Sequence, residues 1–378
     1  MRAVVARGPG DFHLVDDAVA VRGPRGALIE VEAAGVCAAD RMIWRGDGPW
    51  DLSFPFIPGH ELLGRVLDLD AATARRWDAG PGDRVTAEVM IGCGRCRYCA
   101  KDQPGDPDTS HLCRSGRHLG SDLPGAFAER LVLPPEARVH RIPDDLPRSA
   151  AVLAEPAACA VHAVRRAAVG AEDVVVVSGI GAIGACVLGA LAADAQRLIR
   201  DTGSNVQRAL DPRGGGAAPK TIVAAVRSAE RAERARALGA DAAVDTTRHD
   251  AADELRDLAG GYGPDAWIEC SGDPDAARLA TEALAPGGRL VLCGIYRHRA
   301  VVDWNLVAEF KELDVRGAHL APDAFPTAVR LLAGGAIDAS LIATHRHALD
   351  DLPAALDPTP GDQARLKAWI DVRGDKPD

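Results

Sequence analysis

The chain changes its hydrophobic rhythm once, near residue 150. Up to that point short apolar or alternating runs, at 27–33, 62–69, 84–90 and 128–133, are separated by Gly and Pro. Runs of that length bounded by turn residues predict a mostly antiparallel β domain with many loops. Beyond it, an Ala-rich stretch over 149–168 predicts a helix, and 173–178 reads Asp-Val-Val-Val-Val-Ser. An unbroken apolar run is what a strand buried on both faces requires. Strand and helix then alternate: strand 174–177, helix from about 182, strand 221–226, helix 229–238, strand 242–245, helix 251–258, strand 266–270, helix 275–284 and strand 289–293. Repeated strand–helix units predict a parallel, doubly wound sheet. A helix over 323–333 and a strand near 366–372 complete the chain. The tail is expected to rejoin the first domain, giving 1–154 with 319–378 as one domain and 155–318 as the other.

The strand at 174–178 runs directly into Gly179-Ile-Gly181-Ala-Ile183-Gly184, which opens the next helix. A lone G-x-G-x-x-G says little, but between a buried strand and a helix it marks a dinucleotide site. The glycines allow a tight turn and let the backbone approach a pyrophosphate at the helix N-terminus. Gly179, Gly181, Ile183 and Gly184 are therefore candidate cofactor residues. The end of the following strand separates the two nicotinamide dinucleotides. A carboxylate there binds the ribose 2′-hydroxyl of NAD, whereas an Arg accommodates the 2′-phosphate of NADP. This chain reads Val226-Arg227-Ser228-Ala-Glu-Arg231, with no carboxylate at the strand end. Arg227, Ser228 and Arg231 thus predict NADP(H) in preference to NAD(H).

The β half carries Cys93, Cys96, Cys99 and Cys113, spaced C-x2-C-x2-C-x13-C in a glycine-punctuated loop. Four thiolates at such spacing suit a closed tetrahedral zinc site. Two disulfides are the competing reading, which short C-x2-C spacings fit less well. The bulk composition narrows the classes further. A length of 378 residues with 47% hydrophobic content supports two domains, each with a core. A net charge of −10 argues against nucleic acid as a partner. No apolar run approaches the roughly 20 residues of a membrane span. The start, MRAVVARGPG, lacks the apolar core of a signal peptide. Nine cysteines without an export signal predict a reducing, cytoplasmic setting.

Taken together, Gly59-His60-Glu61, the four-cysteine lobe, the glycine turn and Leu238-Gly-Ala-Asp241 resemble the zinc-dependent medium-chain alcohol dehydrogenase family over nearly the whole chain. The nearest branch is the polyol one, similar to sorbitol and threonine dehydrogenases, because Glu155-Pro156 stands where classical members place a third zinc cysteine. The resemblance implies a GroES-like catalytic domain and a Rossmann cofactor domain, with hydride exchanged in the cleft between them. It also implies two zinc ions per chain. The Cys93–Cys96–Cys99–Cys113 zinc would be structural. A catalytic zinc would use Cys37, His60 and Glu61, with Glu155 binding the metal or its water; which glutamate is the ligand stays open. Lys367 matches a family position near the cofactor phosphate, a surface lysine being the alternative. A homodimer or homotetramer acting on a small polar molecule is the implied assembly.

One stretch departs from the family. Members usually read Cys-Gly-(Thr/Ser)-Asp-x-His after the first ligand, and the hydroxyl and imidazole relay a proton. Here the loop reads Cys37-Ala38-Ala39-Asp40-Arg41-Met42. Neither Ala39 nor Met42 can carry a proton. Three readings follow: another relay through Glu155, Glu61 or water; reduction of an iminium or conjugated system; or a catalytically silent dinucleotide-binding protein. Trp44, Trp50 and Phe56 could line a substrate pocket or pack the β domain. Asp40, Asp47 and Asp51 give the loop an acidic cast, which suits a sugar, polyol or aminocyclitol; the Ala/Arg-rich composition associates such chemistry with bacterial secondary metabolism. His319 lies where a cofactor contact is possible. The stretch 99–113 and the segment 195–220 are longer than the family's usual spacing.

Overall fold

The computed structural model describes residues 1–100, 109–192, 218–357 and 365–374. The insertion expected at 195–220, apart from its last three residues, lies outside the described residues, as does 101–108. Two compact units divide the chain: Met1–Glu155 with Ala339–Asp378, and Pro156–Asp338.

The first unit is built on a seven-stranded sheet. Its order is His345–Ala348, Ala368–Asp371, Ala27–Val36, Glu61–Leu69, Arg84–Ala87 and Val139–Arg141, with Arg130–Leu133 also paired to Ala27–Val36. Only the first pairing is parallel. A hairpin of Ala3–Gly8 and Asp11–Val15 joins through bridges at Ala3–Ala128 and Ala6–Phe56. The apolar runs supply the core, where Ile29, Leu62, Phe127, Leu131 and Ile370 are at most 1% exposed. Each such side chain contributes about 2 kcal/mol of hydrophobic stabilisation. Phe56 belongs to this core and Trp44 packs edge-on against Phe12 at 5.1 Å. Packing therefore accounts for both, while Trp50 is exposed. The stretch after Cys37 is not a loop but a helix, Ala38–Arg45, that starts on Cys37 and ends at Gly46 with φ 69°.

The second unit holds a six-stranded, wholly parallel sheet in the order Ala242–Asp245, Thr221–Val226, Val174–Ser178, Ala266–Glu269, Arg289–Leu292, Asp314–Gly317. Strand order reverses between Val174–Ser178 and Ala266–Glu269, the arrangement of a doubly wound dinucleotide fold. Val176, Val223, Val244 and Trp267 are fully buried in its core. The edge strand Asp314–Gly317 is polar and half-exposed, so no periodicity announced it. The chain returns to the first unit at Ala339, not near 319. The reason is the helix Phe325–Ala333, which stays with the second unit: Arg165 donates to the Thr327 hydroxyl at 3.2 Å and to the Asp323 carbonyl at 3.1 Å. Among the described residues no helix is long and apolar enough to cross a membrane.

Candidate metal and cofactor sites

Strand register assembles the first site. Ala27–Val36 pairs antiparallel with Glu61–Leu69 so that Gly35 faces Glu61. Cys37, one residue past the end of the first strand, is thereby brought to His60, one residue before the start of the second. On the other side Ala368 pairs with Val36, which brings Lys367 to the same end. Ligand atoms of Cys37, His60 and Glu61 lie within 4.8 Å of one another. A Cβ at Gly35 would fall 1.8 Å from Glu61 Oε2, so any side chain there would push Glu61 out of the cluster.

The cluster is buried and charged. Asp40, 1% exposed, accepts the Cys37 amide at Oδ2 (2.8 Å) and places Oδ1 3.7 Å from His60 Nδ1. One carboxylate thus caps the helix and sets the side of the imidazole it faces, the support that metal-ligating histidines use. Burial raises the Asp40 carboxyl above its ordinary range, and His60 only partly offsets this. For His60, burial acts downward but Asp40, the Cys37 thiol and Glu155 outweigh it, holding the imidazole well above its usual value. Metal binding needs the imidazole neutral, so it is coupled to pH at this residue. Lys367, 3% exposed, donates to Glu61 Oε1 and pairs with Oε2. Burial works against its charge, but Glu61 and Cys37 overcome it and raise the ammonium. Both Glu61 oxygens thus face the Lys367 ammonium. A buried carboxylate beside a thiol and an imidazole fits a zinc ligand set of mixed Cys, His and Glu type.

Two expectations change here. Lys367 is not a surface lysine; it is a buried cation held by Glu61, because the Ala368–Val36 register carries it into the cluster. Glu155, 7% exposed, acts on His60 through its charge but is not in the close ligand group. Asp40, weighed only for acidity, proves to be the helix-capping support. Its position three residues after Cys37 was the available signal.

The four cysteines form the second cluster, with all four thiols within 4.8 Å. Cys96 Sγ lies 3.5 Å from Cys99 Sγ and 3.7 Å from Cys113 Sγ, and none of the nine cysteines is in a disulfide. Amide donors at Arg95 and Cys96, with the Cys113 thiol, lower the Cys93 thiol to about 6. Burial pushes Cys99 up to about 12. A loop whose backbone amides already favour a thiolate is suited to a metal, which would ionise the remaining thiols.

In the second unit Gly179 adopts φ 79°, and a Cβ on Gly184 would lie 2.2 Å from the Gly179 carbonyl. The helix Ala182–Leu191 that follows has no side-chain cap, which leaves its first amides for an anion. Ile183 sits in its first turn. Ser228 caps Ala229–Ala237 by accepting the Arg231 amide at 3.3 Å. Arg231 reaches back to the Ile180 carbonyl at 3.2 Å, joining the second strand's end to the glycine turn. Arg227 is mostly exposed and donates to Asp273 at 2.8 Å. Of these residues Arg231 contacts the glycine turn, while Arg227 pairs with Asp273.

Two family models match the chain: an alcohol dehydrogenase GroES-like domain over residues 23–144 and a zinc-binding dehydrogenase over 213–334. The erythritol/L-threitol dehydrogenase of Mycolicibacterium smegmatis is 36% identical over 367 residues, covering 94% of this chain and 93% of that protein. An L-threonine 3-dehydrogenase of Sinorhizobium fredii is 32% identical over 87% of this chain and 86% of its own. A solved structure described as a zinc-binding dehydrogenase from Sinorhizobium meliloti, bound to NADP, superposes with a TM-score of 0.80 at 27% identity, covering 98% and 99% of the two chains.

Proposed function

Because the chain belongs to the zinc-dependent medium-chain alcohol dehydrogenases, oxidoreductases of the polyol branch, we propose that it interconverts a secondary alcohol and a ketone on a sugar, polyol or aminocyclitol, with NADP(H) as hydride carrier. The observation that carries this reading is the convergence of Cys37, His60 and Glu61 at one end of the sheet. A zinc ion held there would polarise the substrate oxygen. A second zinc would be held by Cys93, Cys96, Cys99 and Cys113, closed and structural.

The chain's own groups set the rest. Asp40 orients His60, and Lys367 balances the charge of Glu61. The acidic groups Asp47 and Asp51 beyond Cys37 offer hydrogen-bond acceptors to hydroxyls or amines. The relative that acts on erythritol and threitol favours a short polyol. NADP(H) is supported by Arg227 and Arg231 at a strand end without a carboxylate. The half-exposed edge strand Asp314–Gly317, with Val301, Trp304 and Phe310 exposed nearby in sequence, supports a homodimer, since uncovered edges pair with another chain.

The test is metal analysis with a panel of C4–C6 polyols and their ketoses, following NADP+ reduction or NADPH oxidation. Two zinc ions per chain and turnover of a polyol with NADP+ are expected. A protein holding both metals but inert to the panel would overturn the alcohol–ketone assignment. The absence of relay groups at Ala39 and Met42 favours one second reading, reduction of an iminium or conjugated substrate. Ala39→Ser with Met42→His separates the two. If the native route runs through Glu155 or water, alcohol turnover changes by less than roughly tenfold, since replaceable acid–base groups leave the barrier nearly unchanged. If alcohol turnover appears only in this variant, the native reaction is the other one.

A further inference from the structure

The second unit holds a buried carboxylate that the proposed reaction does not use. Glu269 ends the strand Ala266–Glu269, is 0% exposed, and pairs in register with Ser178, the last residue of Val174–Ser178. These two strands flank the reversal of strand order, and ligands of open α/β sheets bind outside the strand ends at that point. The carboxylate is taken up entirely by neighbouring groups. Its Oε1 accepts from the Ser271 amide at 2.6 Å, from the Ser271 hydroxyl and from the Gly272 amide at 3.2 Å. Its Oε2 accepts from the Gly272 amide at 3.1 Å and the Tyr296 hydroxyl at 2.7 Å. The Ser178 hydroxyl, itself bonded by the Trp267 indole at 2.9 Å, lies 3.4 Å from Oε1.

Every one of these partners can donate, and two of them are backbone amides that can only donate, so the side chain serves as the acceptor that ties the loops together. Burial, then the charge of Glu269, raise the Tyr296 phenol well above its ordinary value, which keeps it a donor. A buried anion is tolerated only when it is fully hydrogen-bonded, so its bonds are costly to lose. The loops it gathers are packed backbone to backbone. A Cβ on Gly272 would fall 2.2 Å from the Ile295 carbonyl, one on Gly294 2.2 Å from the Gly272 amide, and one on Gly179 2.4 Å from the Ser271 amide.

We propose that Glu269 is the positioning residue for the nicotinamide half of the cofactor. It clamps the loops that follow Ala266–Glu269 and Arg289–Leu292, the first two strands of the second mononucleotide-binding half of the sheet. Glu269 itself touches no ligand; it acts through Ser271, Gly272 and Tyr296. The inference rests on the dinucleotide reading of the Gly179–Gly184 turn.

The experiment compares Glu269→Gln with wild-type full-length protein by calorimetric titration with two probes: NADP(H), and 2′,5′-ADP, which carries only the adenosine half. Gln keeps the shape and most acceptor contacts but removes the charge. The dinucleotide Kd is expected to rise about tenfold while the 2′,5′-ADP Kd moves less than about twofold, a difference of one to two lost charge-assisted hydrogen bonds. Tyr296→Phe should show the same split at smaller size, and decides the matter if the Gln variant does not fold. A parallel loss for both probes, or no loss for the dinucleotide, overturns the proposal. Wild-type protein that bound neither probe would overturn the cofactor reading instead.

Discussion

The two metal-ligand clusters in the first unit solve opposite problems. The four cysteines come from one short stretch, are alike in chemistry, and offer a metal a complete shell. Cys37, His60 and Glu61 come from two strand ends, mix thiol, imidazole and carboxylate, and would leave a bound zinc ion an open position. This second cluster is bound into a buried charge network by Asp40 and Lys367. A site that only holds the fold can be built locally. A site that must exchange ligands needs support from several elements to stay assembled when it is empty.

Exchanging single ligands should separate the two most sharply. His60→Ala is expected to lower kcat by about 10³ or more, as loss of a few kcal/mol of transition-state stabilisation implies. Its thermal midpoint should fall little, and one zinc per chain should remain. Cys93→Ser should show the reverse. Metal content falls by one, and the midpoint falls by roughly 5–10 °C, as the loss of about 3 kcal/mol in a unit of this size would give. Metal analysis beside calorimetry checks both. A large midpoint loss in His60→Ala, with little in Cys93→Ser, would reverse the assignment of the two sites.

The same contrast explains what could be read from the sequence. The cysteine cluster was legible because its ligands lie within 21 residues and zinc fixes their spacing. The buried run 174–178 with its glycine turn was legible because a parallel strand leaves a continuous apolar signature. The second cluster was legible only through resemblance, since Cys37 and His60 are brought together by strand register. The Lys367–Glu61 pair, 306 residues apart, has no local trace at all. The helix Ala38–Arg45 was missed because its eight residues carry only a short amphipathic pattern; the cap supplied by Asp40 is what starts it.

Removing the cation probes the support rather than the ligands. In Lys367→Met, the Glu61 carboxyl group, 1% exposed, loses its counter-charge. Breaking a buried pair from one side costs about 3–5 kcal/mol, because the remaining charge is uncompensated. That cost should be largest in chelator-treated protein and smaller with zinc present, since the metal then takes over as the counter-charge. Urea midpoints measured with and without chelator give the two values. Equal losses in both states would mean that Glu61 does not face the metal.

The smallest expected effect lies away from both clusters and separates fold from metal under acid. Asp70 caps the helix Ala71–Trp77, its carboxylate accepting the Ala72 and Thr73 amides at 3.0 and 3.1 Å, the Thr73 hydroxyl, and the Gly26 amide at 2.8 Å. The Thr73 hydroxyl first, then the Gly26 amide, hold the carboxyl well below its usual range. A depressed value means that folding favours the ionised form. The contribution is therefore complete above the ordinary aspartate value of about 3.9 and is lost as pH falls towards the depressed one. Both clusters also fail in acid, because their ligands must be deprotonated to bind. In chelator-treated protein that second loss is absent. Between pH 5 and pH 3, Asp70→Asn should flatten the fall in urea midpoint by the same amount with or without metal. A flattening seen only in the zinc-loaded protein would mean that the cap supports a cluster and is not independent of it.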